Sequence, residues 1–399
     1  MKKQPLLILY AGIALAMVGY GIAMPLFPFY IEAFGGSGLH LGLLVSSYGL
    51  MQFLFAPVWG SLSDTYGRKP FLLLGMAGLG LGMLLMGMAS QLWMLYTAQI
   101  LAGALSCATY PAAMAMVSDL YADEQRSAAM GRVGAAAGLG VILGPGLGGM
   151  MAFHSLATPF FIAAGFCLVT LLLMLLVMKE SLEPSHRQGR SQVQVFLPPK
   201  TFLRSLTGPL GFGLLAAFSV NFGKSGFTSV YGLFSLEKFG YGPREVGLIL
   251  MLMSLMYALA QGVLVAPLIK KLGETTLIRL IFPCVALGFV LILISGTSLT
   301  LVLSISFFML AMALLKPTAL SLLSRMTTGS QGAAMGLAES FLSMGRIAGP
   351  LWAGLIFDIN IHLPYLSGAL FFAALSLMSL RQARLRNLNH VDSPRGYFS

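Results

Sequence analysis

Four ionisable residues stand deep inside stretches otherwise almost free of charge: Lys224, Lys316, Glu339 and Arg346. Such groups are costly in a hydrocarbon solvent, so each is a candidate for function, with purely structural pairing as the plainer alternative. The chemistry they offer is proton exchange and ion pairing. Burial raises the pKa of a carboxylate and a nearby lysine lowers it, so a carboxylate moved between water and an apolar site can take up and release a proton. Glu339 is the one acid placed well within a helix, which makes it the candidate proton carrier, with Lys316 as its partner. At 1.5 Å per residue both lie roughly 12–14 Å from the same ends of their helices, a depth that permits an ion pair. Glu339 and Arg346 are two helical turns apart and share a face. Lys224 and Arg346 then become candidate lining residues of a solute cavity. The aromatic residues Tyr20, Tyr110, Phe227 and Tyr231 would supply its apolar surface.

The elements that must position these residues follow from composition. Of 399 residues, 57% are hydrophobic and 9% charged, against about 25% charged in soluble domains. Residues 6–30, 71–100 and 160–178 hold no Asp, Glu, Lys or Arg, enough to cross a hydrocarbon layer about 30 Å thick. Reading hydrophobic runs between polar breaks predicts an all-α membrane protein of twelve spans. They lie near 6–32, 41–62, 70–90, 92–118, 127–152 and 159–178, then 206–235, 244–269, 275–295, 299–324, 331–356 and 364–381. The expected organisation is a six-helix half over 1–178, a basic linker over 179–205, a second six-helix half over 206–382 and a tail over 383–399. The first apolar run is too long for a signal peptide and contains Pro25 and Pro28, so it reads as a retained helix.

Lys and Arg fall in alternate loops, which places both termini in the cytoplasm of a multi-pass protein of the cell membrane. The formal charge of +11 is therefore a topology signal and not a nucleic-acid footprint. Cys107, Cys167 and Cys284 lie in apolar stretches and read as packing residues. There is no metal-ligand spacing, no complete Walker-type phosphate loop and no nucleophile–base set, so no metal, cofactor or enzymatic activity is expected. The halves repeat: Ala128–Gly131 precedes Gly144-Pro145 as Ala333–Gly336 precedes Gly349-Pro350, an offset near 205. Duplicated halves with a solute site between them are a transporter plan. A membrane-bound sensor would need a long signalling domain, and the sequence offers no room for one.

Three segments carry a resemblance. Gly60-Ser-Leu-Ser-Asp64-Thr-Tyr-Gly67-Arg68-Lys69 joins spans 2 and 3. Gly140-Val-Ile-Leu-Gly144-Pro145-Gly146-Leu-Gly148-Gly149 lies on span 5, and Gly19-Tyr-Gly-Ile-Ala-Met-Pro25-Leu-Phe-Pro28 on span 1. Together they resemble the major facilitator superfamily, in its twelve-helix drug:proton antiporter branch of quinolone, multidrug and tetracycline efflux proteins. The resemblance implies a cytoplasmic latch at the first segment and an exporter helix at the second. Physically, Gly60 would allow close helix approach, Gly67 a tight turn, and Asp64 a contact with a helix N-terminus or a base. Pro145 and the glycines around it would let span 5 kink and pack closely. The second-half copy of the latch, Pro267–Gly273, reads as decayed and without its acid.

The chain also departs from that pattern. Gln99 stands where such pumps carry an arginine on span 4, and Thr228 and Ala313 where they carry acids. Three intramembrane bases against one acid would repel a lipophilic cation and welcome an anion or zwitterion. The expected function is proton-coupled export of drugs by a monomer working through alternating access. The alternative is export of an endogenous anionic or zwitterionic metabolite such as a metallophore.

Overall fold

A computed structural model of the chain describes residues 4–121, 123–153, 155–182, 205–208, 210–327 and 331–391. In chain order the helices are α1 (Gln4–Ala23), α2 (Phe27–Ala33), α3 (Gly38–Tyr66), α4 (Arg68–Gly87), α5 (Leu92–Ser106), α6 (Thr109–Leu120), α7 (Asp123–Met151) and α8 (Thr158–Val177). They continue as α9 (Gly211–Phe239), α10 (Pro243–Val263), α11 (Val265–Leu272), α12 (Glu274–Ile294), α13 (Ser298–Met326), α14 (Gln331–Phe357) and α15 (Leu363–Val391). No strand occurs among the described residues. Helices satisfy every backbone donor and acceptor within one segment, which a lipid solvent demands.

Among the described residues, eleven helical segments are long and apolar enough to cross a membrane. The expected seventh span, α9, has the length at 29 residues but falls outside that set. Its middle carries Ser219, Asn221, Lys224, Ser225, Thr228 and Ser229, which dilute its hydropathy. Predicted span 1 divides into α1 and α2, with Pro28 in the first turn of α2, where a missing N–H costs nothing. Span 4 divides at Cys107–Ala108 and span 8 at Leu264. By contrast α7 and α14 run unbroken through Pro145 and Pro350.

The chain forms two compact units. The first joins Met1–Pro199 to Ser225–Leu255 and Arg346–Ile361, and the second joins Lys200–Lys224 to Met256–Gly345 and His362–Ser399. In the second unit an aromatic core binds α12, α13 and α15. Phe289 lies 4.7 Å from Phe308 and 6.1 Å from Phe372, ring centroid to ring centroid.

Two seams of small residues run through the first unit. Along α3 and the end of α14, Gly42 faces the Pro350 carbonyl and Gly354, and Gly38 faces Gly354 and Asp358. Along α7 and the start of α10, Gly247 faces the Pro145 carbonyl and Gly149, while Gly149 also meets Pro243. A β-carbon on Gly42 or Gly247 would overlap a carbonyl oxygen. The two seams are copies of one another: 42 and 247, 145 and 350, 149 and 354 are each 205 apart, the offset read from the sequence. They differ at one end. The Asp358 carboxylate accepts N–H bonds from Gly38 (2.6 Å) and Leu39 (2.9 Å), capping the N-terminus of α3. The equivalent positions hold Phe153 and Pro243, a side chain without a carboxylate and a backbone nitrogen without a hydrogen.

Replacing Gly42 or Gly247 by leucine is expected to lower the stability of the purified protein by about 1–3 kcal/mol through overpacking. Gly165, with open space around it, should tolerate leucine within about 0.5 kcal/mol. Thermal midpoints in detergent distinguish the three.

Candidate functional site

The turn between α3 and α4 gathers the groups expected of the latch segment. Gly67 sits at φ +109°, a region closed to most side chains. Arg68 pairs with Asp64, four residues back on α3. Its Nη1 also donates to Ser63 Oγ (2.9 Å), and its Nε to Asp119 Oδ2 at the end of α6 (3.2 Å). Asp119 is thus part of the site. The expected close helix approach at Gly60 is not made: no described residue of this unit comes within 4 Å of a β-carbon built there.

Glu180 was not anticipated. It follows α8, and its carboxylate accepts the backbone N–H of Arg68 (2.8 Å) and of Lys69 (3.1 Å), capping α4. A β-carbon on Gly67 would strike that carboxylate, so this glycine is required twice over. Partial burial pushes the Glu180 carboxyl up. Backbone N–H bonds from Arg68, Leu182, Lys69 and Ser181 outweigh it and hold the group below the ordinary carboxylate range. Lys69 Nζ completes the clasp on the Leu175 carbonyl at 2.9 Å. One signal in the sequence pointed to Glu180: an acid placed immediately after a span, at the start of a basic linker.

The second-half copy has Lys270 in place of Asp64, as expected, but carries an acid one residue past its turn. Gly273 repeats the positive φ, at +74°, and Glu274 follows it as Arg68 follows Gly67. Glu274 Oε2 accepts a bond from Arg325 Nη1 (3.1 Å), Arg325 Nε lies 3.0 Å from Oε1 in the same ion pair, and Ser321 Oγ donates to Oε1 at 2.8 Å. Positions 68 and 274, and 119 and 325, are each 206 apart. The same ion pair stands in both halves with its charges exchanged.

On α7 the exporter segment packs on two sides. Gly140, Gly144 and Gly148 lie against α1 at Ala14, Val18, Gly21 and Ile22, while Pro145 and Gly149 form the seam with α10. The glycines at every fourth position serve the first contact and the offset pair the second.

Within the first unit a small cavity lies among α1, α2, α3, α5 and α9. Tyr20 and Tyr48 form one wall, ring centroids 5.3 Å apart and tilted by 32°. Tyr48 is held by a bond between its hydroxyl and Ser106 Oγ (2.9 Å). Gln99, Thr228 and Ser229 supply its polar lining. The Arg346 stem runs beside Gly49, and its Nη1 donates to Gln52 Oε1 at 2.8 Å.

Of the aromatic residues expected to line a cavity, Tyr20 alone lines this one. Phe227 and Tyr231 pack against each other at 2% and 0% exposure, so they belong to the interior. Tyr110 is 42% exposed on α6 and does not line it. Tyr48 and Gln52 went unnoticed. In the second unit Lys224 lies 3.9 Å from the centre of the Tyr257 ring, a cation–π contact. Glu339 is exposed and Lys316 half-buried, and no ion pair joins them among the described residues.

With this geometry in view, comparison with known proteins is decisive. The family model described as Major Facilitator Superfamily matches residues 9–236 and 213–393. The chain belongs to the major facilitator superfamily. It is 33% identical to Multidrug resistance protein 2 of Bacillus subtilis (strain 168) over 92% of each chain. It is 26% identical to Quinolone resistance protein NorA of Staphylococcus aureus (strain MRSA252), over 98% of this chain and 100% of that one. Among solved structures, a bacterial homologue of the human lysosomal transporter Spinster superposes with a TM-score of 0.81 at 13% identity. That match covers 96% of this chain and 98% of the other, and it bears on fold alone. This major facilitator protein is a multi-pass membrane transporter of small molecules and not an enzyme.

Because the Glu180 carboxyl is held below its ordinary range, its contribution is complete above that range and disappears as pH falls through its lowered value. Glu180→Gln should therefore lower the thermal midpoint at neutral pH. The gap to the parent protein should close on acidification through the carboxylate range.

Proposed function

We propose that this transporter exports drugs and similar amphipathic molecules from the cell, driven by protons moving inward. The observation that carries the reading is full-length similarity to proteins named for multidrug and quinolone resistance, at 33% and 26% identity. The packing of Gly144, Pro145 and Gly149 supports it, since a helix with close seams on two faces can rock as one body between neighbours. In this proposal the protein lies in the plasma membrane with both termini cytoplasmic, as its Lys and Arg distribution directs. Residues 1–178 and 206–382 act as the two moving halves, joined by the 179–205 linker, and one chain is sufficient for transport.

Glu339 carries the coupling proton. It is an exposed acid within an apolar segment, with no ion pair among the described residues, and so can exchange with water that reaches it. Lys316 serves as its counter-charge in the deprotonated part of the cycle. A second reading, export of an endogenous anionic or zwitterionic compound, draws support from Arg346 and its neutral partner Gln52.

The test is retention of a fluorescent lipophilic cation by cells that express the protein, with and without a protonophore, beside Glu339→Gln. Protonophore-sensitive loss of dye that the variant abolishes is the expected result. A Glu339→Gln protein that pumps with unchanged proton dependence removes Glu339 from the coupling role. Well-expressed protein that moves no dye favours the second reading.

A further inference from the structure

The second unit holds a cavity of its own, away from the turns and seams described above. It has a volume of ≈ 500 Å³ and lies at the start of α9, lined by Phe212 and Leu215, by Phe282 of α12, and by Leu375, Met378 and Arg381 of α15. Arg381 is the one charged group in its walls. Ring contacts fix the sense of the helices around it. Phe289 meets Tyr365 and Phe372, while Phe282 meets Phe372 and Phe212. Thus α12 and α15 run antiparallel, and the start of α12 lies at the same end as Arg381. That end is cytoplasmic in the orientation proposed above.

Two guanidinium groups stand at this end without a counter-charge. Arg381 is exposed and makes no hydrogen bond or ion pair among the described residues. Arg279 lies one turn from Phe282 on α12, half-buried, and its Nε is buried with no hydrogen-bond partner. Buried donors are normally bonded, and a charged one left open is costly. The acids of this unit among the described residues are Glu274 and Glu339. Glu274 is taken up by Arg325 and Ser321, and Glu339 stands on α14, which does not line the cavity. Met378 is 59% exposed and its neighbour Leu377 63%, so the cavity opens on a flank that meets hydrocarbon. An arginine that serves topology alone needs only water beside it. Arg381 instead stands in the wall of an apolar groove.

We propose that this groove is a binding site for an anionic phospholipid. One acyl chain lies along Phe212, Phe282, Leu375 and Met378, and the phosphate is held by Arg381 and Arg279. Charge selects the occupant. A guanidinium fork pairs with phosphate oxygens, and basic pockets between helices on the cytoplasmic side suit anionic head groups. A zwitterionic head group brings its own cation beside two arginines and loses that advantage. The leaflet follows from the orientation proposed above; nothing in the binding depends on the exported solute or on proton coupling.

The test uses full-length protein purified in detergent and mixed with equal amounts of dioleoyl phosphatidylglycerol and dioleoyl phosphatidylcholine, with retained lipid read by native mass spectrometry. The parent protein is expected to retain the glycerol lipid at least about fivefold over the choline lipid. Arg381→Gln should cut that preference below about twofold, and Arg381→Lys should keep part of it. Lys270→Gln, on α11 beside the start of α12, should leave it unchanged. Met378→Trp, which narrows the groove, should lower retention of both lipids together. Excess inorganic phosphate should displace neither. Equal retention of the two lipids by the parent protein overturns the proposal even where a variant does not fold. So does an unchanged preference in Arg381→Gln, an equal drop in Lys270→Gln, full retention in Met378→Trp, or displacement by phosphate. Failure of the dye experiment leaves this ranking untouched, and failure of the ranking leaves the export reading in place.

Discussion

A carbonyl oxygen pressed against a glycine, once at Pro145 and Gly247 and again at Pro350 and Gly42, is the contact on which the first unit depends. Lipid tails are as apolar as leucine, so helices in a bilayer gain little by hiding side chains from solvent. They adhere where backbones approach closely enough for dispersion and polar contacts to accumulate. Glycine and proline occupy these points because any larger group would hold the backbones apart. The remaining features of the unit are set by that approach. Asp358 reaches the start of α3 because α14 lies against it, and Arg346 reaches Gln52 three turns further along the same seam.

The architecture was legible because hydropathy in a membrane protein is close to a direct reading of span positions. The duplication was legible as well, since it survives at a near-constant offset in both motif and contact. The span at α9 was legible from its length, although Asn221, Lys224 and the hydroxyl residues make this helix less apolar than its neighbours. Pro25 marks the helix break at Met24–Leu26, whereas those at Cys107–Ala108 and Leu264 were invisible because nothing polar marks them.

Side-chain partners were harder to read. Glu180 lies 112 residues from Arg68 and Asp119 lies 51 away, and no local pattern joins them. Which face of a helix a residue occupies is normally told by amphipathic periodicity, but a helix apolar all round gives no such cue. Hence Phe227 and Tyr231, chosen as cavity residues, are packed inside, and Tyr48, one turn from Gln52, was passed over. Gln99 drew attention in the sequence as a missing charge. In the structure it lines a cavity together with Thr228, which stands where the resemblance expects an acid.

The exchanged ion pairs bear on how the two copies are built as parts. In the first copy a base follows the turn glycine, at a helix start where partial positive charge already accumulates. That turn therefore borrows an acid from outside, Glu180, and is tied to the chain leaving α8. In the second copy the residue after the glycine is itself the acid, so Glu274 answers its own helix and needs no such loan. The second turn caps its own helix start and depends on distant chain only through Arg325 and Ser321 on α13. The first can be moved only with a piece of chain that begins more than a hundred residues later.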